Sequence, residues 1–194
     1  MKSFEYDLRY LLSGLDVLEA YLLSDEVFWP MSAIPPEGAP DYPRLTLGGM
    51  LLARKRIAAY PATNPQEVQR QQVISNLEGV QSKWRVAWET KARRSFSVRL
   101  RMWRDYIEEY RINPQENADR YSYEVRLRVM LTLLISESGR RQQAEIDLLS
   151  GLDGYLKSKL EMNGFVWEPQ IQSGFPANNY WYLYGNLPPN VKQH

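Results

Sequence analysis

Leucines recur at three- and four-residue steps in two segments of the chain, residues 4 to 23 and roughly residues 140 to 162. This spacing places the leucines on one face of an α-helix, with polar residues on the other. Each segment is therefore predicted to be an amphipathic helix that packs one side against a core. The chain continues beyond both stripes into a turn with large aromatic side chains.

The same six letters, Leu-Leu-Ser-Gly-Leu-Asp, occur in both stripes, at 11–16 and at 148–153. We therefore predict an internal repeat of two helix-plus-turn units, at about 4–30 and 141–169, with their helices adjacent and antiparallel. A glycine inside a helix costs about 1 kcal/mol relative to alanine, so its presence in both copies indicates close helix approach. In an alternative interpretation, the serine of each copy starts a new helix as part of a capping box.

The region between the two units is predicted to hold a loop and two helical stretches. Five prolines indicate a loop over 30–45, and the polar–apolar pattern then predicts a helix over 46–60. An Asn-Pro pair at Asn64 is a strong helix start. From there a near-helical period runs over 65–111, with a break predicted near Ser75 to Gly79 because one straight helix of this length would be unusually long.

Residues 121 to 135 carry a conflicting pattern. Apolar residues alternate with polar ones, as in a strand, but Met130 and Leu134 interrupt the polar face. A strand of this length would also be unusual, and the pattern offers no comparable partner strand. A buried helix is therefore the preferred interpretation, with a strand as the alternative.

The last part of the chain, 165–190, is rich in aromatic, proline and asparagine residues and has little helical period. It contains too many large apolar groups for a disordered tail, so we predict an extended aromatic segment that packs along the helices. The predicted fold class is mainly α: one domain over 1–194, a bundle of five to six helices with an internal repeat.

Composition removes several classes of chemistry. The chain of 194 residues has no cysteine, and His194 is its only histidine. Disulfides, thiolate nucleophiles, zinc sites and the Ser-His-Asp triad are thereby excluded. No apolar run approaches the roughly 20 residues that span a bilayer, and the early charges Glu5 and Asp7 do not fit a signal peptide. We expect a cytoplasmic protein that has no cofactor.

Charge is unevenly distributed along the chain. Residues 83–104 contain eight basic residues and one acidic residue, a net charge of +7, whereas residues 1–42 contain eight acidic and two basic residues, a net charge of −6. A basic helix can follow phosphates, but a total charge of +1 leaves no broad positive surface. We therefore predict that the two segments pack together and largely cancel.

Aromatic residues suggest a second kind of site. Each predicted unit ends near a tryptophan, and the tail adds further rings that could stack on a flat ligand. The candidate stacking residues are Trp29, Trp167, Tyr180 and Trp181. The preferred interpretation is that these rings anchor the loop and the tail, because aromatic residues in a terminal segment usually hold it down.

Carboxylates offer only weak candidates. Asp105 and Glu109 lie one helical turn apart, but a matching acidic pair on a second helix is missing, so no metal site is predicted. The repeated Asp16 and Asp153 could share a site across a pseudo-twofold axis. Surface ion pairs are the preferred interpretation for both. No catalytic residue is predicted.

The leading hypothesis is a non-enzymatic interaction or regulatory protein that presents its long helix to another protein or to a second copy of itself. Tryptophan and arginine are enriched at binding hot spots; the candidate contacts are Trp88, Trp103, Arg94, Arg101 and Arg104. The first alternative is nucleic-acid or other polyanion binding through the basic helix. The second is a small-ligand or carboxylate-metal enzyme with a concave pocket in the bundle.

Overall fold

The computed structural model describes residues 3–139 and 142–189, and these ranges are mainly α-helical. They contain eight α-helices: α1 Phe4–Leu23, α2 Leu47–Ala59, α3 Asn64–Lys83, α4 Arg85–Ile112, α5 Pro114–Asn117, α6 Tyr121–Glu137, α7 Gln143–Lys159 and α8 Ala177–Tyr180. His194 and the predicted start of the second repeat helix at 140 lie outside the described ranges. No described helix is long and apolar enough to cross a bilayer.

Side chains at the helix ends explain where the helices begin. Ser3 accepts a hydrogen bond from the Tyr6 backbone N–H at 3.2 Å, and Thr46 accepts one from the Gly49 backbone N–H at 3.0 Å. Each satisfies a backbone donor that the first helical turn leaves without a partner. α3 begins at Asn64, and its N-cap is Thr63, one residue before the asparagine that was predicted to cap it; Thr63 forms a capping box with Gln66.

The long helical region bends at Trp84, not at the predicted break near Ser75 to Gly79. Trp84 ends α3 and begins α4 with a non-helical ψ of 35°. Gly79 is exposed within α3, and a Cβ there would contact nothing. A solvent-exposed glycine weakens a helix but does not sterically block it as proline does, so the prediction placed the break too early.

Residues 121 to 135 form a helix, as the preferred interpretation predicted. α6 packs against both α2 and α4, and its exposed residues are Ser122, Tyr123 and Ser136. Its buried residues are Tyr121, Val125, Leu127, Arg128, Val129, Met130, Leu131 and Leu134. A helix surrounded by other helices loses the 3.6-residue polar–apolar period, which explains why its sequence also resembled a strand.

The two repeat copies occupy different environments. Both hexapeptides lie within helices, but α1 packs mainly against α2 and α3, whereas α7 packs mainly against α4. Leu11 is 1% exposed and its counterpart Leu148 is 37% exposed. A Cβ on Gly14 would lie 3.0 Å from Leu45, but one on Gly151 would meet nothing. The predicted close approach therefore holds for α1 alone.

The middle of the aromatic tail forms short helical turns where an extended segment was predicted, whereas 165–168 and 184–189 are not helical. Turns of 3-10 helix at Pro169–Gly174 and Trp181–Leu183 flank α8. Proline stands at the first position of the Pro169 turn, where its fixed φ favours a helical start. Only one isolated β-bridge, between Glu161 and Asn186, joins the described tail to the end of α7.

Candidate functional site

A pocket of about 410 Å³ lies between α1, α2, α4, α6 and the loop 40–44. Its size is within the range of small-molecule sites. Four arginines and two aspartates contribute to its wall, together with tyrosines and apolar side chains. The charged residues are Asp7, Asp41, Arg44, Arg56, Arg99 and Arg126.

Tyrosines on one face of α1 hold the loop over the pocket. The Tyr6 hydroxyl donates a hydrogen bond to the Asp41 carbonyl at 3.3 Å, and the Tyr10 hydroxyl donates one to the Arg44 carbonyl at 3.4 Å. In the other direction, the Tyr42 hydroxyl donates to the Tyr6 carbonyl at 2.9 Å. The Tyr6 and Tyr42 rings also pack with centroids 4.6 Å apart. The loop is thus tied to α1 by hydroxyl-to-carbonyl bonds.

Burial keeps these hydroxyls protonated. It raises the pKa of Tyr6 to about 12, with smaller contributions from Tyr42 and Asp7. Burial also raises the pKa of Tyr10, despite an opposing contribution from its Thr46 backbone contact. Neither hydroxyl can therefore serve as a base near neutral pH.

At one end of the pocket, the Arg56 end, a buried arginine is neutralised by acidic partners. Arg56 Nε donates to Asp7 Oδ2 at 2.8 Å, and the two side chains are 4% and 5% exposed. Arg56 also donates to the Tyr60 hydroxyl at 2.8 Å and to Glu168 at 3.3 Å. Burial lowers the pKa of Arg56, but the charges of Asp7, Tyr60 and Glu168 outweigh burial, and the net pKa is raised.

At the other end, the Arg99 end, a buried arginine has no acidic partner among residues 3–139 and 142–189. Arg99 donates to the Thr46 hydroxyl at 3.0 Å and to the Met102 sulfur at 3.1 Å, and its Nε has no hydrogen-bond acceptor. The residue is 7% exposed and its guanidinium lies 5.0 Å from the centre of the Phe28 ring. None of these neighbours carries a negative charge.

A second cation increases the positive potential at the Arg99 end. Burial lowers the pKa of Arg99, and the charge of Arg126 lowers it further. Arg126 itself is held by the Tyr123 carbonyl at 2.9 Å and by Glu124 at 3.2 Å. A buried cation without a counter-charge is costly in free energy, so this end of the pocket is suited to an anion.

The two tryptophans predicted as partner contacts belong to the core. Trp88 is 1% exposed and Trp103 is 0% exposed, so neither indole can meet a partner on the surface of α4. Both lie on the apolar stripe that α4 turns toward the core. The prediction that these two tryptophans contact a partner protein is therefore wrong. They lie on the buried face of α4 and not on a face exposed to solvent.

The basic residues of the segment 83–104 are largely engaged within the protein. Arg94 pairs with Asp25 at 2.6 Å, and Lys83 pairs with Glu19 at 2.8 Å. The buried Lys91 donates to the Ser24 and Glu26 carbonyls at 2.8 and 2.7 Å, just beyond the end of α1. The predicted neutralisation by residues 1–42 is therefore confirmed at these contacts.

The remaining basic candidates lie apart from the pocket. Arg104 pairs with its neighbour Asp105 at 2.7 Å, and Arg101 is exposed on the outer face of α4. Neither residue lines the pocket.

The four predicted stacking residues do not form one site, and none of them lines the pocket. Trp29 lies with its ring centre 6.3 Å from that of Tyr21 and pairs its backbone with Leu45. The other three belong to the packed tail. Trp167 donates to the Ser122 carbonyl at 2.9 Å, Tyr180 is 6% exposed, and Trp181 packs beside Tyr182. These contacts support the interpretation as anchors.

The acidic candidates are engaged in separate ion pairs or exposed. Asp153 forms two hydrogen bonds of 2.7 Å with Arg128, whereas Asp16 is exposed on α1. Glu109 pairs with Arg120 at 2.7 Å. Across the ranges that the structure describes, no group of acidic or histidine side chains could hold a metal ion.

Sequence reasoning missed Arg99 as a site residue although it counted this residue among the basic ones. A detectable signal was present: Arg99 falls three residues after Phe96 and four before Trp103, on the apolar stripe of α4. A charged residue on a buried stripe needs a partner. Lys91 also interrupts this apolar stripe, and it donates hydrogen bonds to backbone carbonyls. Arg99, by contrast, lines the pocket.

Comparison with protein-family models, with curated proteins and with solved structures gives no match for this chain.

Proposed function

We propose that the protein binds a small anionic ligand in the pocket between α1, α2, α4 and α6, and that it acts by binding and not by catalysis. The observation that carries this proposal is the buried guanidinium of Arg99, whose described neighbours are a hydroxyl, a thioether and an aromatic ring. A ligand carboxylate, sulfonate or phosphate would supply the missing charge through charge-assisted hydrogen bonds.

The other groups of the pocket favour binding over chemistry. Asp7 is engaged by Arg56, and Asp41 is exposed on the loop. The raised pKa of Tyr6 and Tyr10 keeps both hydroxyls protonated. No lining residue is a histidine or a cysteine, so a general base for reaction near neutral pH has no obvious source.

Partner or polyanion binding through α4 has less support. Its tryptophans are buried, and Arg94 and Arg104 are paired with Asp25 and Asp105. Arg93 and Arg101 remain as exposed cations, and two such charges give little of the electrostatic footprint that polyanion binding requires.

Native mass spectrometry tests the anion-binding proposal. We expect the wild-type protein, purified gently from its own cells, to carry extra mass that is released on denaturation. The variant Arg99→Met should lose that mass because it keeps the length of the side chain but removes the charge. Arg101→Met removes the same charge from an exposed position of the same helix and should keep it.

Retention of the same mass by Arg99→Met would contradict the proposal. So would a bare wild-type protein whose thermal unfolding is insensitive to every added organic and inorganic anion, because ligands that bind the folded state stabilise it.

A further inference from the structure

Given the proposed binding of an anion in this pocket, its walls constrain the ligand beyond its charge. Apolar and aromatic side chains form much of the wall, and two of them, Phe28 and Met102, lie against Arg99. The others are Leu52, Ala53 and Met130. A phosphate or sulfate ion would leave this apolar surface in contact with water. At about 30 Å³ for each water molecule, a volume of about 410 Å³ corresponds to roughly a dozen waters. An apolar body that displaces them gains free energy in proportion to the area covered.

Three of the four tyrosines that line the pocket present their rings to it more than their hydroxyls. The hydroxyls of Tyr6, Tyr10 and Tyr42 each donate to a backbone carbonyl. Their single protons are therefore committed, and they offer no donor to a ligand. A sugar or another polyhydroxylated body would find few partners here. Flat rings, by contrast, can stack on or meet the edges of tyrosine and phenylalanine.

The buried charge of the pocket fits one anionic group, because the lining charges Asp41 and Arg44 are both exposed on the loop. Arg56 is neutralised by Asp7 and Glu168, and Arg126 is held by Glu124. Arg99 is the buried cation that the described residues leave without a counter-charge. A polyphosphate would bring several charges into a site that has one buried cation to offer, and the excess would be desolvated without a partner.

We infer that the ligand is a flat aromatic or otherwise apolar molecule that bears a single anionic group, with that group at Arg99 and its body against Phe28 and the α1 tyrosines. This excludes free inorganic anions, sugar phosphates and nucleoside polyphosphates as the preferred class. The guanidinium beside the Phe28 ring gives the ligand charge and the ligand ring adjacent places in the pocket.

A matched pair of fluorescent probes tests this inference. Anilinonaphthalene sulfonate has an aromatic body and one anionic group, and phenylnaphthylamine is the same body without the sulfonate. Both brighten in apolar surroundings, so each can be titrated directly into the folded wild-type protein. Sodium sulfate, an anion without an aromatic body, serves as a competitor.

We expect the sulfonate probe to bind one to one and at least about tenfold more tightly than its neutral counterpart, because a charge-assisted hydrogen bond is worth about 1.5–3 kcal/mol, and 1.4 kcal/mol is tenfold in affinity. Sulfate should displace it only at concentrations far above the protein. Arg99→Met should weaken the sulfonate probe by at least about tenfold and leave the neutral probe unchanged. Arg101→Met should change neither affinity.

Each contrary result has its own meaning. If sulfate displaces the probe with equal affinity, anion binding stands and the aromatic class is wrong. If the neutral probe binds as tightly as the sulfonate, or if Arg99→Met leaves the sulfonate affinity unchanged, both the inference and the anion-binding proposal fail. If the sulfonate probe does not bind, the inference is wrong, whereas the ligand-mass measurement still decides the proposed function. The probe pair is compared on the wild-type protein, so the test does not depend on the folding of a variant.

Discussion

Each end of the pocket holds one buried arginine, but only one of the two arginines has acidic partners among the described residues. Arg56 and Thr46, which contacts Arg99, lie ten residues apart along α2, which is about 15 Å. At the first end, Asp7 and Glu168 surround the guanidinium. At the second, a hydroxyl, a thioether and the Phe28 ring do so.

The pKa directions reflect that difference. Burial lowers the pKa of both arginines, but the acidic partners raise that of Arg56 overall, whereas the charge of Arg126 lowers that of Arg99 further. A buried charge with its partners in place is part of the fold. A buried charge without them is destabilising, and its retention is most simply explained by a partner that arrives from solution.

The largest expected effect is on stability at the Arg56 end. Arg56→Met removes the guanidinium that pairs with the buried Asp7, which should reduce the free energy of unfolding by about 3–5 kcal/mol. Urea denaturation measures the loss. The matched control is Arg9→Met, which breaks the half-exposed pair with Glu5 and should cost about 0.5 kcal/mol or less. Similar losses in both variants would remove the distinction between a structural ion pair and a surface one.

The second prediction concerns a substitution that gives Arg99 an acidic partner, as Arg56 already has. Met102 lies 3.1 Å from Arg99 through its sulfur, so Met102→Glu should place a carboxylate beside the guanidinium. We expect this variant to bind the sulfonate probe at least about tenfold more weakly, because the protein then supplies the anion itself.

Met102→Gln has the same length without the charge and is the control for that variant. It should retain the affinity of the wild-type protein for the sulfonate probe. Equal binding by the Glu and Gln variants would show that the charge state of Arg99 does not govern the pocket.

The third prediction concerns alkaline pH and the tyrosines that tie the loop to α1. Tyrosine in the unfolded chain has a pKa near 10, whereas the folded pKa of Tyr6 is raised to about 12. Above about pH 10 the unfolded chain therefore loses a proton that the folded protein keeps. Stability should be fully present below about pH 10 and fall by about 1.4 kcal/mol per pH unit for each such tyrosine as the pH approaches about 12.

Urea unfolding at about pH 8 and about pH 11, with tyrosinate absorbance recorded in parallel, checks this expectation. Tyr6→Phe should unfold with a smaller dependence on pH. A stability that stays flat over the same interval would mean that Tyr6 ionises equally in both states and is not buried as the structure places it.

Much of the fold could be predicted from the sequence, because capping residues and apolar stripes are local signals. α1 has the bounds that its leucine stripe predicted, and α6 is a helix despite its alternating pattern. Segments with the same sequence do not have the same tertiary environment. Identical hexapeptides lie in α1, where a Cβ on Gly14 would meet Leu45, and in α7, where a Cβ on Gly151 would meet nothing.

The site was less predictable because it depends on contacts between distant segments. Met102 is a local neighbour of Arg99, three residues further along α4. Thr46 lies 53 residues away, and no spacing in the sequence reveals that it is a partner of Arg99. What the sequence could have revealed is the interruption of an apolar stripe by a cation. Trp88 and Trp103 were predicted to contact a partner because tryptophan is enriched at binding hot spots. Large aromatic side chains on an apolar stripe are also typical of a core, and both are buried there.

The most direct test of the account is the free energy of urea unfolding of Arg99→Met without added ligand, in a buffer low in organic and polyvalent anions. Because the protein leaves this charge without a counter-charge, its removal should leave the free energy of unfolding within about 1 kcal/mol of the wild type or raise it. A loss of about 3 kcal/mol or more, similar to that expected for Arg56→Met, would contradict the account. It would mean that the protein already neutralises Arg99, and that this end of the pocket is not kept for an anion.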